Sequence, residues 1–137
     1  PVPPVERDPE ILYRYVVREF IPATRLCLID NGFAEKKDER SKGGVFLLAI
    51  NGCLFWISDD YDATMPAVSY AAVGSGYLAA LGSLVTTDLL CREPSTRITA
   101  ELRVDLALQA AERHCATVGA PWTIIGTVRD RVDGSDR

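Results

Sequence analysis

Ser75 stands between Gly74 and Gly76, after the apolar run from Ala67 to Val73 and directly before the small-residue stretch YLAALGSL. A Gly-Ser-Gly corner that opens a helix suits two chemistries. Glycines let backbone N–H groups approach a ligand and the helix start carries partial positive charge, so a phosphate is one natural occupant. A catalytic centre is the other. Ser75 is also suited to a purely structural task, capping the helix that follows it.

Residues 74–79 satisfy the letter of GxGxxA, the dinucleotide-binding fingerprint. That motif also requires a second parallel strand with an acidic end about 20 residues on. The chain instead has Asp88, Glu93 and a second long helical pattern there. Dinucleotide binding at Gly74-Ser75-Gly76 is therefore the weakest of the functional readings.

Other reactive side chains are poorly grouped. His114 and Cys115 are neighbours in sequence, and on a helix they point about 100° apart, which disfavours a Cys-His dyad. Thr86-Thr87 resembles a nucleophile pair only in letters, with no free amine. Pro1 carries a secondary amine but belongs to a proline-rich segment, PVPPV, that reads as an extended linker. Asp59, Asp60 and Asp62 lack the glycine and distal Glu of a calcium loop, so they read as a solvated turn. Cys27, Cys53, Cys91 and Cys115 never form a CxxC pair and read as buried reduced thiols. Trp56 and Trp122 read as core residues.

The composition bounds the class. The 137 residues are 47% hydrophobic and 25% charged, with net charge −4 and pI near 5.0. This is one globular domain without a basic stripe, so nucleic acid is not expected as a partner. No apolar run reaches the roughly 20 residues of a membrane helix, so no membrane partner and a cytoplasmic location are expected. The opening has neither an initiator Met nor a signal-peptide layout, which reads as a cut chain or one that begins partway through a longer frame.

The elements that must position Ser75 follow from periodicity. Residues 1–8 form a proline-rich opening, and Asp8-Pro9 marks a helix start, with Asp8 as N-cap. The helical period runs to the cap pair Asn31-Gly32, and Pro22 should kink or split it. Glu35 to Gly44 reads as a solvated loop. Asn51-Gly52 between VFLLAI and CLFWIS predicts a tight type I′ hairpin. Both arms are apolar at nearly every position, so both faces of this sheet should be covered. Ser58 to Pro66 reads as an acidic loop, Ser69 to Val73 as a short strand, and Tyr77 to about Leu90 as a helix. A second helix, capped by Ser95 or Thr96, should run to about Gly119 with Ile98, Leu102, Leu106, Ala110 and Cys115 facing inward. Trp122 to Val128 predicts a last strand, and residues 129–137 a charged, frayed tail. The class is α+β with layered helices and strands over a single domain, residues 9–128.

The NG hairpin, acidic loop, strand ending in Gly74-Ser75-Gly76, two helices and final strand together resemble the proteasome-like N-terminal-nucleophile hydrolases. The Ala- and Gly-rich helix from Tyr77 to Leu84 fits that pattern. Cys115 near the end of the second helix, followed by a short loop and Thr123-Ile124, resembles the bacterial HslV-type peptidases most closely. In proteasome β subunits the positions of Cys115 and Val118 resemble an aspartate and a serine instead. The resemblance spans roughly Val45 to Thr127 and implies a four-layer αββα sandwich.

The resemblance implies peptide-bond hydrolysis by an N-terminal threonine, serine or cysteine whose own amine is the base. Neither that nucleophile, its strand pair nor the accompanying lysine matches anything in these 137 residues. The chain is thus expected to be the C-terminal portion of a threonine-type peptidase, inactive by itself. By resemblance Ser75 is accessory, hydrogen-bonding the terminal amine, while Gly74 and Gly76 shape the pocket floor. The backbone carbonyls of Glu112, Cys115 and Val118 would hold a monovalent cation. Implied partners are a peptide or unfolded protein as substrate, further copies in a ring or a complementing N-terminal segment, and an ATP-dependent unfoldase. The alternative is a noncatalytic assembly subunit of the same fold, encoded by a phage or an actinobacterium.

Overall fold

The computed structural model describes residues 1–33, 35–37 and 40–126. The chain is mixed α+β and divides into two compact units, Pro1–Tyr77 and Leu78–Arg137.

The first unit opens where the capping residues predict. Asp8 accepts hydrogen bonds from the N–H groups of Glu10 (2.8 Å) and Ile11 (3.3 Å), which starts α1, Pro9–Tyr15. A π-helical turn, Val16–Phe20, separates α1 from α2, Ile21–Asp30. The irregularity expected of Pro22 thus lies upstream of it. Pro22 has no N–H to offer the Arg18 carbonyl, and the Ile21 N–H reaches back five residues to the Val16 carbonyl. Asn31 and Gly32 end α2, with Gly32 at φ +72. The Phe33 N–H bonds the Leu28 carbonyl (2.9 Å) and the Gly32 N–H that of Ile29 (3.1 Å), a Schellman closure.

The expected loop over Glu35 to Gly44 contains a two-stranded antiparallel ladder, β1 (Glu35–Lys37) against β2 (Arg40–Lys42). These strands carry no apolar alternation, so periodicity could not reveal them. The hairpin forms as expected: β3 (Phe46–Ile50) and β4 (Cys53–Ile57) pair with Ile50 opposite Cys53, Leu48 opposite Phe55 and Phe46 opposite Ile57. Asn51 (φ +49) and Gly52 (φ +86) make the type I′ turn. A two-residue strand, β5 (Ala63–Thr64), adds to the far edge of β4.

The sheet is not equally buried on both faces. Phe55 and Ile57 are fully buried, as are Leu12 and Val16 of the helices, and Phe46, Leu48, Ile50 and Cys53 pack against the same cluster. Each fully buried side chain of this size contributes about 1.5–3 kcal/mol. On the opposite face Leu47, Leu54 and Trp56 are half-buried and Ala49 is exposed. Trp56 is therefore a partly covered face residue.

Residues 58–66 form a folded turn around Ser58 instead of a solvated loop. Ser58 is buried; its N–H bonds the Asp62 carbonyl (2.9 Å), its hydroxyl oxygen accepts from the Asp62 N–H (3.0 Å), and it donates to the Asp60 carboxylate. Tyr61 adopts φ +69, packs into the core, and has the Arg25 guanidinium 5.8 Å from its ring centroid.

In the second unit α3 (Tyr77–Leu90) has the expected bounds, whereas α4 (Ala100–His114) is shorter than expected. Thr99 caps α4 through its hydroxyl, which accepts from the Leu102 N–H at 3.2 Å. Ser95 and Thr96 do not, because the turns that follow α3 continue through them, with the Thr96 N–H on the Glu93 carbonyl. The inward stripe is also displaced: Ala107 and Ala111 are buried and Arg103 is half-buried, while Leu102 and Leu106 are exposed. Among the described residues the two expected strands, 69–73 and 122–128, are not formed. Residues 69–73 and 122–126 are irregular; 127–128 and the tail, 129–137, lie outside the described residues.

Candidate functional site

The Gly-Ser-Gly corner is built by backbone conformation. Gly74 sits at φ +95, and a Cβ there would meet nothing within 4 Å, so conformation and not space calls for glycine. The Tyr77 N–H closes on the Gly74 carbonyl at 3.2 Å, and α3 begins at once. Ser75 is exposed at this helix start and Gly76 is buried. The first-turn N–H groups and the positive end of a 14-residue helix dipole therefore lie at the corner. Such a place favours an anionic or hydrogen-bond-accepting group. The strand expected to lead into the corner is absent among the described residues, which removes the strand–turn–helix context that a dinucleotide site needs.

The other residues singled out by sequence lie at the end of α4. Cys115 is extended (φ −138, ψ 113) and caps the helix, with its N–H on the Ala111 carbonyl. Its thiol sulfur is 3.2 Å from the Thr117 hydroxyl, and its carbonyl accepts from the Val118 N–H at 3.0 Å. Glu112 belongs to the last turn, whose carbonyls have no partner within the helix; its carboxylate accepts from the Ala120 N–H at 3.2 Å. Glu112, Cys115 and Val118 are thus gathered on one helix terminus at spacings of three. Among the described residues no three His, Cys, Asp or Glu side chains converge on a common point, so a cation at this end would rest on backbone oxygens. His114 is exposed on the last turn while Cys115 is half-buried.

After a cis Ala120–Pro121 bond the chain returns along α4. The Trp122 indole N–H donates to the Asp105 carboxylate at 3.1 Å, and Gly126 lies near the Glu101 carboxylate. Trp122 is half-buried and tethered by its N–H.

Sequence reasoning missed the group that holds α3 to α4. The Arg103 Nε donates to the Thr87 hydroxyl (3.3 Å), and its Nη2 donates to the Asp88 carboxylate (3.3 Å) and the Leu84 carbonyl (3.4 Å). Thr87, buried, donates in turn to the carbonyls of Ser83 and Leu84. This explains the displaced stripe of α4: Arg103 must face α3, and Leu102 is therefore turned outward. The one sequence signal was the pairing of an acid on the first helix with a base one turn into the second. Burial, with the Glu19 carboxylate adding to it, raises the acidity constant of the Tyr15 phenol. No protein family, no curated protein and no solved structure matches this chain.

Proposed function

We propose that this chain supplies the supporting part of a proteasome-like, HslV-type peptidase site. The observation that carries the reading is the corner itself: a left-handed Gly74, an exposed Ser75 and a buried Gly76 at the head of a small-residue helix. In this reading Ser75 hydrogen-bonds the terminal amine of an N-terminal nucleophile and helps pass its proton, while the backbone of Gly74 and Gly76 shapes the pocket floor. The nucleophile and the oxyanion donor belong to strands that these residues do not contain. The NG hairpin, the two successive helices and Cys115 at the end of the second support the reading, whereas residues 69–73 and 122–126, where it expects strands, are irregular; pairing of those segments and completion of the four-layer αββα sandwich are part of the proposal.

Assembly with further copies belongs to the same reading. Leu78, Val85 and Leu89 on α3 and Leu102 and Leu106 on α4 are exposed, and contact with further copies would cover them. Peptides or unfolded proteins are the substrate class, delivered by an ATP-dependent unfoldase. The test is Ser75→Ala in the product of the whole reading frame. Accessory proton relay predicts a fall in kcat of about 10²-fold or more with KM unchanged. An unchanged kcat would leave Ser75 a helix-start residue only.

A further inference from the structure

The opening segment PVPPVER is not the free linker that its composition predicts. Pro3 and Pro4 fix their own φ and push Val2 and Pro3 into extended backbone, and neither proline has an N–H to join a ladder. Carbonyls are the groups left for holding such a segment, and three are taken by side chains far along the chain. The Tyr15 hydroxyl donates to the Pro1 carbonyl at 3.2 Å. The Asn51 amide nitrogen donates to the carbonyls of Pro4 at 2.7 Å and Glu6 at 3.3 Å.

Both donors sit on residues that other contacts hold in place. Tyr15 is 7% exposed, with its ring in the core, so its hydroxyl has a fixed direction. Asn51 is the first central residue of the type I′ turn at φ +49. Glycine and aspartate also serve that turn position, yet neither carries an amide donor. The Asn51 side chain therefore does something that turn formation does not require.

We propose that residues 1–7 form a strap closed over the hairpin tip by a clamp of two side chains, Asn51 and Tyr15, that reads the carbonyls of a donor-poor, proline-rich strand. The strap fixes the approach to the Asp8 cap of α1. Its opening presents the Asn51 amide and the Tyr15 hydroxyl to an extended peptide backbone. Opening and closing are governed by the clamp, since Val2 and Val5 are exposed and add little packing.

The test is backbone ¹⁵N relaxation of the 137-residue chain, read at Val2, Val5, Glu6 and Arg7. The strap predicts order parameters near those of helices for Val5 and Glu6, about 0.8, against values below about 0.6 for a free segment. Asn51→Gly and Asn51→Asp both keep the turn, so the amides of β3 and β4 should be unmoved. In each variant Val5 and Glu6 should fall to the flexible range, the closed-to-open ratio dropping by about tenfold for the lost bonds. Tyr15→Phe should loosen Val2 alone. Flexible Val5 and Glu6 in the wild-type chain, or values unchanged in both Asn51 variants, would overturn the strap.

Discussion

The Arg103 Nε lies 3.3 Å from the hydroxyl oxygen of Thr87, so a half-buried guanidinium on α4 is fastened to a buried threonine on α3. The same guanidinium also reaches Asp88, which is shared with the exposed Arg92 at 3.2 Å. Thr87→Val keeps the shape and removes the hydroxyl, leaving Arg103 with one acceptor fewer. The expected loss is about 1 kcal/mol in urea unfolding. Arg103→Met should cost about 1–2 kcal/mol, moderated because Asp88 keeps Arg92 and the pair is partly solvated. A double-mutant cycle should give a nonzero coupling between the two residues.

Tyr61 and Gly43 form a second pair with opposite expectations. A Cβ on Gly43 would lie 2.8 Å from the Tyr61 hydroxyl oxygen and 2.9 Å from its ring. The tyrosine is in the core, so Gly43→Ala should destabilise by about 1–3 kcal/mol. Tyr61→Phe goes the other way, because the buried hydroxyl has no hydrogen-bond partner among the described residues. Its removal should be neutral or stabilising, by up to about 1 kcal/mol. Thermal unfolding of both variants checks the pair.

Gly52 isolates backbone strain from packing. At φ +86, with nothing within 4 Å of where a Cβ would stand, Gly52→Ala has room but adopts a conformation that L-residues avoid. The expected cost is about 1–2 kcal/mol, read by urea unfolding. Asn51→Gly, at the neighbouring turn position, should add no backbone strain and lose only the side-chain bonds to the Pro4 and Glu6 carbonyls.

Tyr15 predicts an alkaline slope. Its folded acidity constant is raised, by burial first and by Glu19 second, so above pH 10 the unfolded chain gives up the phenol proton while the folded chain keeps it. Fewer protons bound in the unfolded state means that stability falls as pH rises. This contribution is whole below pH 10 and is lost as pH climbs through the folded value. Wild-type stability should therefore drop more between about pH 9 and pH 11 than that of Tyr15→Phe, as read by urea unfolding at each pH.

Local chemistry was legible and non-local pairing was not. Asp8-Pro9, Asn31-Gly32 and Asn51-Gly52 each carry their instruction within a few residues, and each element boundary formed where they stand. Ser95, Thr96 and Thr99 are all competent caps, and only the turns that continue from α3 decide among them. The stretch at 122–126 is rich in strand formers and that at 69–73 has Tyr70 and Val73, but a strand also needs a neighbour to bond, which local sequence does not report. Arg103 shows the limit most plainly: apolar periodicity put Leu102 and Leu106 inward, whereas Arg103, with its partly buried contacts to α3, takes the inward place. At the candidate site, the left-handed turn and the helix start were readable from Gly74-Ser75-Gly76. The carbonyl-reading role of Asn51 was not, since its acceptors lie more than 40 residues away.

The most direct measurement is hydrolysis of a fluorogenic peptide, compared between the 137-residue chain and the product of the whole reading frame, each with Ser75 and with Ser75→Ala. The supporting role predicts no release from the 137-residue chain in either form, and release from the whole product that falls about 10²-fold with Ser75→Ala. Turnover by the 137-residue chain that disappears with Ser75→Ala would contradict it, because Ser75 would then be a nucleophile in its own right.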